Sequence, residues 1–202
     1  MKGNIGKCLM VVFLLAVSTS AFAGPYIGVA GGGSLIHDSN ARWDGGANNS
    51  VNFNTGYGAI SSFGYSSKGA GRYEYEFGYK TAGIKSTSLI DGATVDSTIY
   101  SYMANAYCDI KNKSIVTPYI GVGAGVLTGQ MKASVAGSPT EKISDTVFGY
   151  QAMLGAGVKI SKKFTLDLSY RFQSAVTDFD FGTQGKISYM SSNVYGGLRF
   201  NF

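Results

Sequence analysis

At 202 residues, with 17 Lys and Arg against 12 Asp and Glu, the chain is one domain in length and mildly basic, since a domain typically holds ~100–200 residues. That charge, without an Arg/Lys cluster or an aromatic-basic groove, excludes a nucleic-acid partner. A single histidine, His37, excludes a His-rich metal centre, and neither a metal site nor a cofactor is expected.

Residues 1–23 read as a secretory signal peptide. Lys2 and Lys7 precede an apolar run from Cys8 to Val17, and Ala21-Phe22-Ala23 supplies an A-x-A-like cleavage site. The run is well short of the ~20 apolar residues of a helical span. No cysteine follows the cleavage site, so no lipoprotein anchor is expected. Residues 24–202 then form one domain of net charge near +3, and Cys108 is left alone, with no intramolecular disulfide open to it. It reads as a small apolar residue on a lipid-facing strand. No later stretch is long and apolar enough for a helical span, so any insertion into a membrane must use strands.

Eight strands are predicted in the remaining chain. The first starts at Pro25 and sets Ile27 and Val29 against Tyr26, Gly28 and Ala30. A polar segment, roughly 34–54 with His37 and Trp43, has the composition of a surface loop. The second strand, about 55–65, turns at 66–70 into the third. Residues 71–80 carry Tyr73, Tyr75, Phe77 and Tyr79 on one face, with Arg72, Glu74, Glu76, Gly78 and Lys80 on the other. After a polar segment to about Asp96 come strand four, Tyr100 to Asp109, a short lysine turn, and strand five from Pro118. Pro-Tyr-Ile-Gly-Val occurs at both 25–29 and 118–122, a four-strand echo. A polar segment near 128–144 precedes strand six, 148–158. Strand seven, from Phe164, sets Leu166, Leu168 and Tyr170 against Asp167 and Arg171. The last polar segment, about 174–185, leads to strand eight, which sets Val194, Leu198, Phe200 and Phe202 against Asn193, Tyr195 and Arg199.

Size decides which face points inward. An eight-stranded barrel has an interior just wide enough to be filled by side chains. It holds glycines, small polar residues and a few paired charges, so the rings must face outward, into lipid. An even strand count with alternating long and short connections gives long loops outside and short periplasmic turns. The expectation is an all-β, eight-stranded antiparallel up-and-down transmembrane β-barrel in the cell outer membrane. A soluble lipocalin-like barrel is the structural alternative.

The ending Phe200-Asn201-Phe202, the segment Pro-Tyr-Ile-Gly-Val-Gly-Ala-Gly at 118–125 and Leu168-Ser169-Tyr170-Arg171-Phe172 resemble the eight-stranded OmpA/OmpX-like and opacity-type bacterial outer-membrane barrels. The resemblance spans residues 24–202. It implies recognition of Phe202 by the barrel assembly machinery, and roles from adhesin and surface antigen to envelope stabiliser and, in a few members, enzyme. No peptidoglycan-binding domain is expected after Phe202.

The inward charges are Arg72, Glu74, Glu76, Asp109, Asp167, Arg171 and Arg199. Arg72 should meet Asp109, Asp167 should approach Arg199, and Glu74 and Glu76 should face Arg171 across the ring, as a structural plug. Buried charges are tolerated only when paired and hydrogen-bonded, and a carboxylate pair in a filled lumen has no cleft for a glycosidase substrate. No catalytic residue is expected. The enzymatic alternative rests on His37 as general base. Lipid A palmitoyltransferases resemble this layout, with His37 and Asp96-Ser97 in comparable loops, but they carry an amphipathic helix before strand one that is missing here. His37-Asp38-Ser39 matches the His-x-Ser of lipid A deacylases at the wrong place in the barrel. Asp178 and Asp180 fall short of the 6–8 oxygens calcium takes. Trp43 and the many Tyr and Phe fit an aromatic girdle. Arg42, Lys85, Lys132, Lys142 and Lys186 lie in or beside the outer loops, where lipopolysaccharide phosphates would meet them. The expected role is a monomeric, non-enzymatic surface protein. Its loops bind a host, extracellular or envelope ligand or reinforce the membrane, and its body contacts outer-membrane lipids and lipopolysaccharide. A lipid A-modifying enzyme and a small-solute pore are the alternatives.

Overall fold

Two-residue alternation runs through the whole chain and closes it into a ring. The computed structural model describes residues 22–37, 39–42, 48–51, 55–67, 71–83, 94–134, 141–180 and 186–202. The proposed signal peptide up to residue 21, Trp43 and Lys85 lie outside them, as do the side chains of Arg42, Asp96, Lys132 and Lys142. The strands are β1 (Phe22–Ile36), β2 (Ser39–Arg42), β3 (Asn48–Val51), β4 (Thr55–Ser67), β5 (Gly71–Gly83), β6 (Thr94–Asp109), β7 (Val116–Ser134), β8 (Glu141–Lys159), β9 (Phe164–Ala175), β10 (Phe179–Asp180), β11 (Lys186–Ile187) and β12 (Met190–Asn201). Eight of them form a closed antiparallel barrel in the order β1-β12-β9-β8-β7-β6-β5-β4. No helix among the described residues is long and apolar enough to cross a membrane.

The faces divide as size requires. Tyr75 is 67% exposed and Leu168 62% on the outside. Phe200 packs at a tilt against Phe164 and edge-to-face against Phe202 in an outward cluster near the short-turn end. Cys108 is exposed, and Arg72, Glu74, Glu76 and Lys80 are buried. Outward apolar side chains are stable only where the surroundings are hydrocarbon. Four tyrosines depart from the outward expectation: Tyr26, Tyr107, Tyr119 and Tyr195 are buried in the lumen. Room for them comes from glycines directly across the ladder. Tyr107 faces Gly121, and Tyr119 faces Gly155. A Cβ on Gly121 would sit 2.4 Å from the Tyr107 ring, and one on Gly155 2.6 Å from that of Tyr119.

Three polar segments read as loops contain strands. β2 and β3 from the first join β10 and β11 from the last in a four-stranded sheet of order β10-β11-β2-β3, with Arg42 paired to Lys186 and Ala41 to Ile187. The ladder between β7 and β8 runs on to Ala133 and Glu141, well into the segment assigned to a third loop. Both strands have 19 residues, against the ~9–11 a tilted membrane strand needs. The hairpin therefore stands roughly 20 Å above the bilayer. Polar composition misled here because strands outside the membrane need no lipid-facing apolar side.

Candidate functional site

Arg72, Glu74, Glu76 and Lys80 project into the lumen from β5 and meet partners from β6 and β9. Arg72 Nε lies 2.8 Å from Asp109 Oδ1, and Arg199 Nη2 2.7 Å from Asp167 Oδ2. Arg171, from the strand opposite β5, pairs with Glu76. Glu76 also accepts from Asn105 Nδ2 at 3.1 Å and Gln151 Nε2 at 3.3 Å. Among the described residues no arginine forms an ion pair with Glu74. Its oxygens accept from the Tyr26 and Tyr107 hydroxyls, each at 3.0 Å.

The tyrosines also hold the cations. Arg72 lies between the rings of Tyr107 and Tyr119, 4.5 and 4.7 Å from their centroids, while Tyr119 donates to Asp167. Arg199 lies over Tyr26 and Arg171 over Tyr195. A ring face offers a desolvated cation electrostatic compensation that costs no second charge. A small cavity remains among Arg72, Glu74, Tyr107, Asp167, Arg171 and Arg199.

Above this layer the chemistry changes. The Lys80 ammonium donates to Gln173 Oε1 at 2.5 Å and to the Tyr189 hydroxyl at 3.3 Å, and no carboxylate among the described residues meets it. Tyr189 lies beyond the end of β11, and burial holds its phenol above the usual range, in the protonated donor form. Over it lies an apolar layer of Ile36, Ile99, Leu127, Val147, Phe179 and Ile187. Phe179, Ile187 and Tyr189 come from the segment between β9 and β12, which folds in as a lid. Sequence reasoning missed this lid because polar composition assigns the segment to a loop, although Asp178-Phe179-Asp180-Phe181 and Lys186-Ile187-Ser188-Tyr189 alternate. It also missed the tyrosine–charge contacts, although alternation already put those rings inward.

His37 is exposed at the outer rim. Its Nε2 lies 2.9 Å from Ser192 Oγ, which also meets the Tyr170 hydroxyl at 2.9 Å. Ser97, proposed as its companion, is buried on β6, which does not neighbour β1. Asp38 and the Ser39 side chain lie outside the described residues. The Asp180 backbone N–H donates to Asp145 Oδ2 at 2.7 Å and the Asp180 carboxylate pairs with Lys186 at 3.5 Å, while Asp178 is exposed. Among the described residues no three His, Cys, Asp or Glu gather around one point as a metal site would require.

The family model described as outer membrane protein beta-barrel domain matches residues 8–200. No curated protein sequence matches the chain. Among solved structures, Neisserial surface protein A is similar at 18% identity and a TM-score of 0.63, covering 90% of this chain and 99% of that one. The outer membrane protein OprG from Pseudomonas aeruginosa follows at 16% identity and 0.54, covering 90% and 97%. The attachment invasion locus protein Ail of Yersinia pestis, solved with the heparin analogue sucrose octasulfate, matches at 20% and 0.52, covering 88% and 99%. Likeness at such identities speaks for the fold alone, not for a ligand.

Proposed function

The chain belongs to the outer membrane protein β-barrel domain family, and from that premise we propose that it is a non-catalytic surface protein with a closed lumen, recognising its partner through the loop platform. The supporting observation is the filled interior. Ion pairs and tyrosines occupy its lower part, and the Phe179 lid covers the upper part. With the lumen filled by the described side chains, the four-stranded sheet and the projecting β7–β8 hairpin are the parts available to a ligand.

Charge narrows the partner. From the strand tops to the loops, the extracellular side carries five basic residues and eight acidic ones. Such a surface favours a neutral or cationic partner over a polyanion of the kind bound to the Ail structure. Phe202, exposed at the opposite end, is the residue offered to the assembly machinery.

Adhesion of cells with and without the gene to host cells or matrix, at rising salt, tests the reading. Gene-dependent binding should be lost when the β7–β8 hairpin is replaced by a short turn. Steady single-channel conductance in planar bilayers would remove the closed lumen. One observation favours an enzymatic second reading: His37 and Ser192 are in hydrogen-bond contact on the lipid-facing rim. Unchanged lipid A mass spectra between cells carrying the wild type and Ser192→Ala are expected, and a lost modification would establish the enzyme.

A further inference from the structure

The charges of the chain are sorted by depth. The lumen holds Arg72, Lys80, Arg171 and Arg199 against Glu74, Glu76, Asp109 and Asp167, and is neutral. The short turns at the periplasmic end, residues 66–70, 110–115 and 160–163, contain lysines and no Asp or Glu. With Lys159 at the end of β8, Lys111, Lys113, Lys162 and Lys163 lie on the two adjacent turns joining β6 to β7 and β8 to β9, and all five are exposed.

These lysines sit on a rigid rim. Asn112 Oδ1 accepts from the Ser114 amide at 2.8 Å, and Ser161 Oγ from the Lys163 and Phe164 amides. The Lys159 amide donates to the Ile115 carbonyl at 2.9 Å, tying the two turns together. Interleaved with the lysines are Ile110, Ile115 and Ile160, exposed at 55%, 66% and 58%. Three exposed isoleucines among five lysines are a poor surface for water and a good one for an interface, where the aliphatic chain enters hydrocarbon and the ammonium meets a phosphate. Lys163 Nζ lies 5.9 Å from the ring centroid of Phe200, an outward girdle residue, which sets it at headgroup level.

We propose that the β6–β7 and β8–β9 turns form a docking surface for anionic phospholipid headgroups of the inner leaflet of the outer membrane. A peptidoglycan strand, the other anionic polymer beneath the membrane, would use the lysines but leave the three isoleucines in water. The isoleucines thus select lipid. Each lysine near the headgroup layer contributes about a fivefold preference for an anionic lipid, and salt screens it.

The test uses the whole barrel in nanodiscs of phosphatidylcholine with a minor fraction of phosphatidylglycerol, with retained lipid read by native mass spectrometry. Phosphatidylglycerol should be enriched about fivefold or more over its bulk fraction. That enrichment should vanish at high salt and in the combined variant K111Q/K113Q/K162Q/K163Q. Heat-modifiable migration verifies that the variant barrel is folded. Ile160→Trp adds a measurement independent of charge: its emission should be blue-shifted and quenched by brominated lipid. Equal retention of both lipids, water-like emission from Ile160→Trp, or lysine-dependent sedimentation with isolated sacculi in place of lipid enrichment overturns the proposal.

Discussion

The lower and upper halves of the lumen solve burial of charge differently. Near the periplasmic end, Arg72, Arg171 and Arg199 each meet a carboxylate and each lie against a tyrosine ring. At the upper end, Lys80 has two neutral oxygen acceptors and a hydrophobic layer above it. Removing one partner from a buried ion pair leaves an uncompensated charge, whereas removing an ion without a countercharge leaves none. The two halves should therefore respond oppositely to neutralisation.

The largest effect is expected from Glu76→Leu, which strands Arg171 among buried groups. It should cost about 3–5 kcal/mol in urea unfolding of the detergent-folded barrel. Adding Arg171→Met should recover most of that loss, and failure to recover it would mean that Arg171 is held by other groups. Phe179→Ala opens the lid and should cost about 3 kcal/mol, with faster proteolysis between β9 and β12 as the independent readout. Gly121→Ala drives a methyl into the Tyr107 ring and should cost about 1–3 kcal/mol. Tyr107→Phe, which leaves Glu74 one donor short, should cost about 1–3 kcal/mol, as an unsatisfied buried group does. The smallest change is expected from Lys80→Met, within about 1 kcal/mol of wild type or above it. Gln173 Oε1 keeps the Tyr189 hydroxyl at 3.1 Å as a donor. A loss as large as that from Glu76→Leu would show that Lys80 is the true counter-ion of Glu74 or Glu76 and would erase the contrast between the halves.

Much of the lumen was legible because β-strand alternation is a local property. Arg72, Glu74 and Glu76 share a face by their spacing alone, and strand order then brings Arg72 to Asp109 and Arg171 to Glu76. What stayed hidden depends on relations between strands. The opposition of Tyr107 to Gly121 and of Tyr119 to Gly155 is a matter of register. The position of Glu74 under two hydroxyls depends on how far the Tyr26 and Tyr107 rings reach. The lid was hidden for another reason: the alternating stretches Asp178 to Phe181 and Lys186 to Tyr189 are each too short to read as a strand, and only the pairing of β2 with β11 holds Ile187 over the mouth.

By itself the sequence determined the strand count, which face meets lipid, the long and short ends and the near-neutral charge of the interior. Each of these follows from periodicity and composition along one strand at a time. Only the tertiary structure decided which charges the inward tyrosines meet, that Lys80 has no carboxylate in contact among the described residues, that the mouth is capped by apolar side chains and that His37 meets Ser192 rather than Ser97. Those are contacts between residues far apart in the chain, set by shear and closure, and no local pattern encodes the distance between two strands that meet only when the ring is shut.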